Sequence, residues 1–465
     1  MRRFLPSQSA TAELLRLALP VVVVQVGLMV MGVVDSIMVG RISAAALAGV
    51  ALGNVFFFAG AIFGAGVLTA LDPIVAQAVG ARDDLAISLA LQRAFLLSLA
   101  LALPTSLLLM CVEPVLRLLQ QPLDVIPIAS GYVWREIPGV LPFFAFGVLR
   151  QSLQAMGRMR AIVYTIVFAN ALNAGLNWVL IYGHFGVPAM GALGSAWSTT
   201  ISRWVMTMGL ALLAWPWLRE HVLPFRREML DTRAVGRMLV LGAPIGAQMQ
   251  LEFGVFGAIG LLMGRLGTVP VAAHQIALNL ASLTFMVPLG ISGAAAVLVG
   301  RAVGRGDAAA ARRAAGAALF VGVGFMALTA LLFLLAPEAL ARVYTEETAV
   351  VALAAALLPI AGVFQVFDGI QVVSIGALRG IGDTRTPFIM NLIGFWAIGL
   401  PVSLLLGFRT ALGARGLWWG LVVGLVIVGL GLLARLRVRL GRELARIRID
   451  DASPAFSVRP QASGS

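Results

Sequence analysis

The sequence predicts an all-α membrane protein of twelve transmembrane helices, arranged as two pseudo-symmetric six-helix lobes. Three observations predict it: an apolar composition, apolar runs of spanning length, and a second half that repeats the first. Of the 465 residues, 60% are hydrophobic and only 12% charged, about half the charged share of a soluble domain. So few charges cannot clothe a water-facing surface. An apolar run of about 20 residues, by contrast, crosses the hydrocarbon as a helix.

The spans follow in order at residues 14–39, 44–71, 87–111, 126–149, 161–182, 190–216, 236–264, 270–298, 313–336, 349–378, 386–407 and 414–435. Seven windows hold no Asp, Glu, Arg or His: 42–71, 94–112, 161–183, 275–300, 314–337, 386–408 and 416–434. Windows 137–149 and 204–218 belong to two more spans. The remaining three carry Asp35, Glu252 and Asp368 inside apolar runs.

Charge sets the topology. The net charge is +13 and every basic residue is Arg. The arginines are spread over short gaps rather than gathered in one patch, which argues against a nucleic-acid partner. With the N-terminus inside, 26 Arg fall on the cytoplasmic side, six outside (41, 117, 265, 342, 409 and 415) and two within helices (135 and 203). That is the positive-inside pattern, and it predicts both termini in the cytoplasm. "MRRFLPSQSATAE" runs directly into the first span, with no signal peptide of its own. The tail 441–465 reads as basic, then disordered. Its basic part "RLRVRLGRELARIR" is foremost a topology anchor and suits anionic lipid head groups. A single Cys111 permits no disulfide within the chain and no CxxC motif, and His184, His221 and His274 form no HExxH.

A shift of 224 positions aligns Pro20 with Pro244, Gly40-Arg41 with Gly264-Arg265, and "AVGARD" (78–83) with "AVGRGD" (302–307). Further on, "LQAMGRMR" (153–160) matches "LRGIGDTR" (378–385), and "GALGSAW" (191–197) matches "GARGLWW" (413–419). The domains expected are an N-lobe at 1–217, a cytoplasmic linker at 218–233 ("LREHVLPFRREMLDTR" covers it), a C-lobe at 234–440 and the tail. Two halves of like orientation imply a two-fold axis along the membrane normal and a substrate held between lobes.

The interior acids are the candidate site. An ionised group at the bilayer centre costs upward of about 2.5 kcal/mol, so such residues usually face the bundle interior and act there. Asp35 aligns with Ile259 and Glu252 with Leu28, so each acid belongs to one lobe only. Asp35 lies five residues from the outer end of its span, where a wet mouth position is also open. Glu252 shares a helix face with Gln248 and Phe256, and Asp368 with Phe364, Phe367 and Gln371. Acid, amide and ring together suit an organic cation through charge and cation–π contact, though such a stripe also serves helix packing. A buried carboxylate that binds either a proton or a cationic solute, not both, is an antiporter in its simplest form. In the fifth span, Asn170, Asn173 and Asn177 either bridge helices or hold an ion. Arg203 at midspan reads as the partner of an interior carboxylate.

The layout resembles the multidrug and toxic compound extrusion (MATE) family, closest to its NorM-like branch. The motifs that carry it are "VVDSIMVGRISAAALAGVALGN" (33–54), "AAHQIALN" (272–279) and "DGIQVVSIGALRGIGDTRTP" (368–387). The resemblance implies export of cationic drugs by a monomer, driven by protons or sodium, with no cofactor. It implies coupling through Asp35, Glu252 and Asp368, with sodium at Glu252 and Asp368 if sodium drives it. It further implies substrate contacts at Gln275, and an amide pair Asn173 and Asn177 beside the first-span acid. Asp72 stands where the family usually has a small or hydroxyl residue. The rival is a lipid-linked saccharide flippase, which would want a basic cavity. An intramembrane enzyme is a further class, but neither GxSxG nor HExxH is present.

Overall fold

A computed structural model describes residues 8–450, so the disorder expected at 451–465 lies outside the described residues. The first half comprises α1 (Gln8–Gly40), α2 (Ala44–Leu68), α3 (Leu71–Ala81), α4 (Asp84–Met110), α5 (Val112–Leu118), α6 (Ile126–Glu136), α7 (Val140–Ala155), α8 (Met159–Tyr182) and α9 (Ala192–Leu213). A short helix α10 (Trp215–Val222) and a 3-10 turn (Arg227–Leu230) make the link. The second half comprises α11 (Thr232–Leu266), α12 (Thr268–Gly304), α13 (Ala308–Leu335), α14 (Pro337–Arg342), α15 (Thr348–Ile381), α16 (Arg385–Asn391), a π-helical stretch (Leu392–Gly399), α17 (Leu400–Phe408) and α18 (Ala414–Leu440). Among the described residues there is no strand.

Ten of the described helical rods are long and apolar enough to cross a membrane. The fourth and sixth predicted spans are helical too but fall outside those ten. In the fourth, a 3-10 turn at Ile137–Gly139 separates α6 from α7, because Pro138 offers no backbone N–H. The sixth, α9, carries Arg203 and a run of hydroxyl residues that lower its hydropathy. Outward stripes are oily: Leu99, Leu103 and Leu107 follow one another at helical spacing on α4, each more than half exposed.

The repeat is visible in the backbone. Asp83 and Asp307 occupy equivalent caps, each carboxylate accepting from the amide three residues on, Ala86 at 3.0 Å and Ala310 at 2.8 Å. Gly191 and Gly413, one in each "GAxG" motif, open α9 and α18 with φ/ψ of 57°/−135° and 53°/−125°. Such positive φ is strained for any residue with a Cβ, so both halves keep glycine there.

The lobes meet toward the side that carries the linker and tail. α2 and α3 pack on α11 and α12, and α1 packs on α12. The approach is backbone to backbone. A Cβ added at Gly80 would lie 2.1 Å from the Arg301 carbonyl oxygen, and one at Gly304 would lie 2.0 Å from that of Gln77. Polar clamps join the lobes at the same level. Arg379 reaches Asp72 at 3.2 Å, Arg301 donates to the Ala155 carbonyl at 2.7 Å, and Gln77 donates to the Gly380 carbonyl at 2.9 Å.

The stretch beyond α18 does more than trail away. The Ile447 amide donates to Gln77 Oε1 at 2.7 Å, Arg446 pairs with Asp83 at 2.7 Å, and buried Arg93 holds Asp450 at 2.6 Å. Up to residue 450, then, the tail binds the other lobe. Sequence reading assigned this stretch to topology and lipid because the acceptors, a helix-cap carboxylate and a buried amide, lie some 360 residues away.

Candidate functional site

The acids fall into two sets, one in each lobe, rather than one shared ring of three. Asp35, on α1, is only 3% exposed, so it is sealed rather than at a wet mouth. Its two oxygens are held from two other helices. Asn177 Nδ2 on α8 donates to Oδ1 at 2.5 Å, and Thr199 Oγ1 on α9 donates to Oδ2 at 2.9 Å. Behind them, Asn177 also donates to Asn173 Oδ1 at 3.3 Å, and Ser198 donates to the Asn173 carbonyl at 3.0 Å. α1 and α8 can close in because Gly27 has no Cβ; one added there would sit 2.3 Å from Ile166 Cγ2. Asn170 does the bridging, donating to the Gly27 carbonyl at 3.0 Å. Thus of the three amides one ties helices together, one serves the acid, and Asn173 steadies the second.

Arg203 pairs with a carboxylate that the sequence reading did not single out. Its Nη2 lies 3.2 Å from Glu136 Oε1, with Glu136 wholly buried. Glu136 ends α6, inside the predicted span 126–149, where the sequence reading placed Arg135 within the helix and passed over the acid next to it. The signal available was the buried arginine itself, which needs a counter-charge from a neighbouring helix.

In the C-lobe, Glu252 on α11 collects three neutral amides. Gln371 Nε2 on α15 donates to Oε1 at 3.1 Å, while Gln248 and Asn391 approach Oε2, each at 3.4 Å. Gln371, read as a companion of Asp368, therefore reaches across to the other acid. Asn391 was missed in sequence; it directly precedes the π-helical stretch, and such local widening re-aims side chains. Trp396 within that stretch donates to the Leu251 carbonyl at 3.0 Å, fixing the two helices beside Glu252. Asp368 is 9% exposed and accepts no hydrogen bond among the described residues, yet lies within electrostatic reach of Glu252.

Rings surround this set. Phe256 meets Phe364 edge-on at 6.0 Å, Phe364 meets Trp418 at 5.9 Å, and Trp418 meets His274 at 5.7 Å. Phe367 is partly buried against the same core. Gln275 stands apart: it is exposed, and its amide donates to Asn279 one turn along α12 rather than to an acid. Among the described residues no group of three or more His, Cys, Asp or Glu gathers as a metal centre. Gln371 Oε1 and Asn391 Oδ1, the far ends of two amides whose nitrogens face Glu252, are buried without a hydrogen-bond partner. Asp72, meanwhile, is spent on the inter-lobe pair with Arg379 and lies outside both sets.

The MatE family model matches residues 20–179 and 244–405. Multidrug resistance protein NorM of Burkholderia vietnamiensis is 39% identical over 459 residues, covering 95% of this chain and 97% of the relative. Multidrug resistance protein PmpM of Pseudomonas aeruginosa is 37% identical, covering 98% of each chain. Among solved structures, the eukaryotic MATE transporter AtDTX14 superposes with a TM-score of 0.85 at 22% identity, covering 92% of this chain and 96% of that one. An outward-facing multidrug resistance MATE transporter of the MOP superfamily gives 0.84 at 19%, covering 93% and 96%.

Proposed function

From the premise that this chain belongs to the MatE family, we propose that it exports lipophilic, mostly cationic drugs in exchange for an inward-moving proton or sodium ion. It is a multi-pass membrane protein and a multidrug efflux transporter, not an enzyme. One observation carries the coupling: each lobe holds a buried carboxylate set whose acid is met by neutral donors and left without a basic partner.

The physics follows from that arrangement. Amides and hydroxyls orient Asp35 and Glu252 without cancelling their charge, so each can take a solute cation or a driving ion, and the two compete. Asp368, unbonded beside Glu252, adds a second negative charge that either ligand relieves. The aromatic chain from Phe256 to His274 offers ring faces to an organic cation. Inward movement of one positive charge yields about 2.3 kcal/mol per 100 mV of membrane potential to drive export. Gln248, Phe256, Phe367, Asn173 and Asn177 line or steady the two sets, and Gln275 would meet the drug from the exposed part of α12. Both termini sit in the cytoplasm of a bacterial inner membrane, with the chain working as a monomer among lipids. The clamped side is then cytoplasmic, and the described conformation is closed toward the cell interior.

A saccharide-lipid flippase is the disfavoured alternative, since pyrophosphate needs a basic cavity and these sets are acidic. The test is ethidium efflux from proteoliposomes under a pH gradient and, separately, a sodium gradient. Efflux driven by at least one gradient is expected. Efflux by neither, with intact vesicles, would remove the antiport reading.

A further inference from the structure

α9 presents Thr199 and Arg203 on one face, a single turn apart. The hydroxyl of the first holds Asp35 at 2.9 Å; the guanidinium of the second is a full positive charge within electrostatic reach of the same acid. Paired with Asp35, that guanidinium would neutralise the acid from within the lobe. An acid so paired offers nothing to a solute cation. The structure instead has Arg203 turned to Glu136 on α6.

Several contacts hold it there. The Arg203 Cζ lies 4.1 Å from the centre of the Phe57 ring and 5.5 Å from that of Phe143, a cation–π seat. Gly139 leaves room for it, since a Cβ there would stand 3.3 Å from Arg203 Cδ and Nη1. The register of α9 against α6 is set by Thr200 Oγ1 donating to the Arg135 carbonyl at 2.8 Å and by Trp204 Nε1 donating to Pro138 at 3.0 Å. Yet the pair is poorly satisfied. Neither Glu136 oxygen makes an aligned hydrogen bond, and Arg203 Nη1 has no partner. A buried ion pair of that quality is weak evidence for stability. The groups facing Glu136 are Arg203, Tyr132 and, at longer range, Asp35.

We propose that Glu136 is a positioning residue: it captures Arg203, and so leaves Asp35 with the uncompensated charge on which drug and driving ion compete. This rests on the antiport reading, and it adds to that reading the reason why a buried arginine can sit in the N-lobe without disabling it.

The experiment uses the full chain in proteoliposomes, with ethidium efflux and equilibrium dye binding as readouts, on wild type, Glu136→Gln, Arg203→Met and the double variant. Glu136→Gln frees the guanidinium to pair with Asp35, and dye affinity is expected to fall about tenfold or more. Arg203→Met leaves Asp35 uncompensated, and affinity is expected to stay within about threefold of wild type. A purely structural pair would behave otherwise, because removal of either partner strands a buried charge. Equal losses in the two single variants, or no loss in Glu136→Gln, would therefore overturn the proposal. Should Glu136→Gln not fold, the double variant decides: binding within about threefold of Arg203→Met supports it, and binding about tenfold lower overturns it, since Glu136 would then act other than through Arg203. If wild type itself fails to move dye, the antiport reading falls, while the binding arm still judges Glu136.

Discussion

The two lobes descend from one pattern yet handle their buried acids differently. In the N-lobe, Asp35 is held by Asn177 and Thr199, and the same lobe carries Arg203 tied up by Glu136. In the C-lobe, Glu252 is held by Gln371, Gln248 and Asn391, Asp368 stands beside it, and no arginine pairs with either acid among the described residues. With every group ionised, the N-lobe set carries one net negative charge and the C-lobe set two. The lesson is about where a cation gains most. Two carboxylates close together without a positive neighbour repel each other, so one captured cation relieves both desolvation and repulsion.

That difference predicts the largest effect in the molecule. Neutralising the C-lobe pair (Glu252→Gln with Asp368→Asn) is expected to abolish coupled efflux, a loss of about a hundredfold or more, while the protein still inserts and folds. Dye efflux from proteoliposomes measures the first, and monodisperse size-exclusion behaviour the second. Retention of wild-type transport would break the comparison, because the lobe with the greater charge would then be idle.

Next in size is the seam between the lobes, which joins them by the kind of ion pair that the acids of both sets do without. Buried Asp72 meets partly buried Arg379 at 3.2 Å, with Arg150 near enough to interact with Asp72. Asp72→Asn strands two arginines, and breaking a buried pair costs about 3–5 kcal/mol. Denaturant unfolding in detergent should register most of that loss. Adding Arg379→Gln should restore part of it, and a double variant no better than the single would show that Asp72 acts through Arg150 alone.

A smaller effect separates the donors themselves. Hydrogen bonds to charged groups contribute about 1.5–3 kcal/mol. Thr199→Val leaves Asp35 with one donor, whereas Gln371→Met leaves Glu252 with two long contacts of 3.4 Å. Dye affinity should fall about tenfold in Thr199→Val and about threefold in Gln371→Met, the N-lobe acid having fewer substitutes. The reverse ranking would mean that Gln371 carries the C-lobe site and that the longer amide contacts contribute little.

Much of this was legible in sequence, and the reasons are specific. The span order and the acids are local facts: a charge inside an apolar run announces itself within a few residues. The repeat aligned Asp83 with Asp307 and Gly191 with Gly413; their roles as helix caps and as positive-φ openings came from the structure. What stayed hidden was pairing across helices. Which carboxylate takes Arg203, and which acid Gln371 serves, depends on helix rotation, and a turn of about 100° per residue moves a side chain to another neighbour. Glu136 was passed over because it stands next to Arg135 in the span 126–149, and nothing local marks it as the partner of an arginine 67 residues on. Asn391 was lost because the π-helical stretch after it alters the helical count that face assignments rely on. Arg446 and Asp83 met only because the chain folds its end back onto its beginning.

That last contact gives the smallest effect, and it supplies a third kind of carboxylate: paired with an arginine and close to water. Burial alone pushes the Asp83 carboxyl up, but the Ala86 amide, the Arg446 hydrogen bond and the charges of Arg446 and Arg448 together hold it below its ordinary value. A group whose folded value is depressed contributes its stabilisation fully above the unfolded value and loses it as pH falls through the folded one. Docking of the tail on α4 should therefore hold steady from pH 7 down to about 5 and weaken only below about 4, the ordinary carboxylate range. Hydrogen exchange at the Ile447 amide, corrected for the intrinsic pH dependence of exchange, reads this directly. Protection that faded already between pH 7 and 6 would take the docking away from the Asp83–Arg446 pair and leave Asp83 as a helix cap alone.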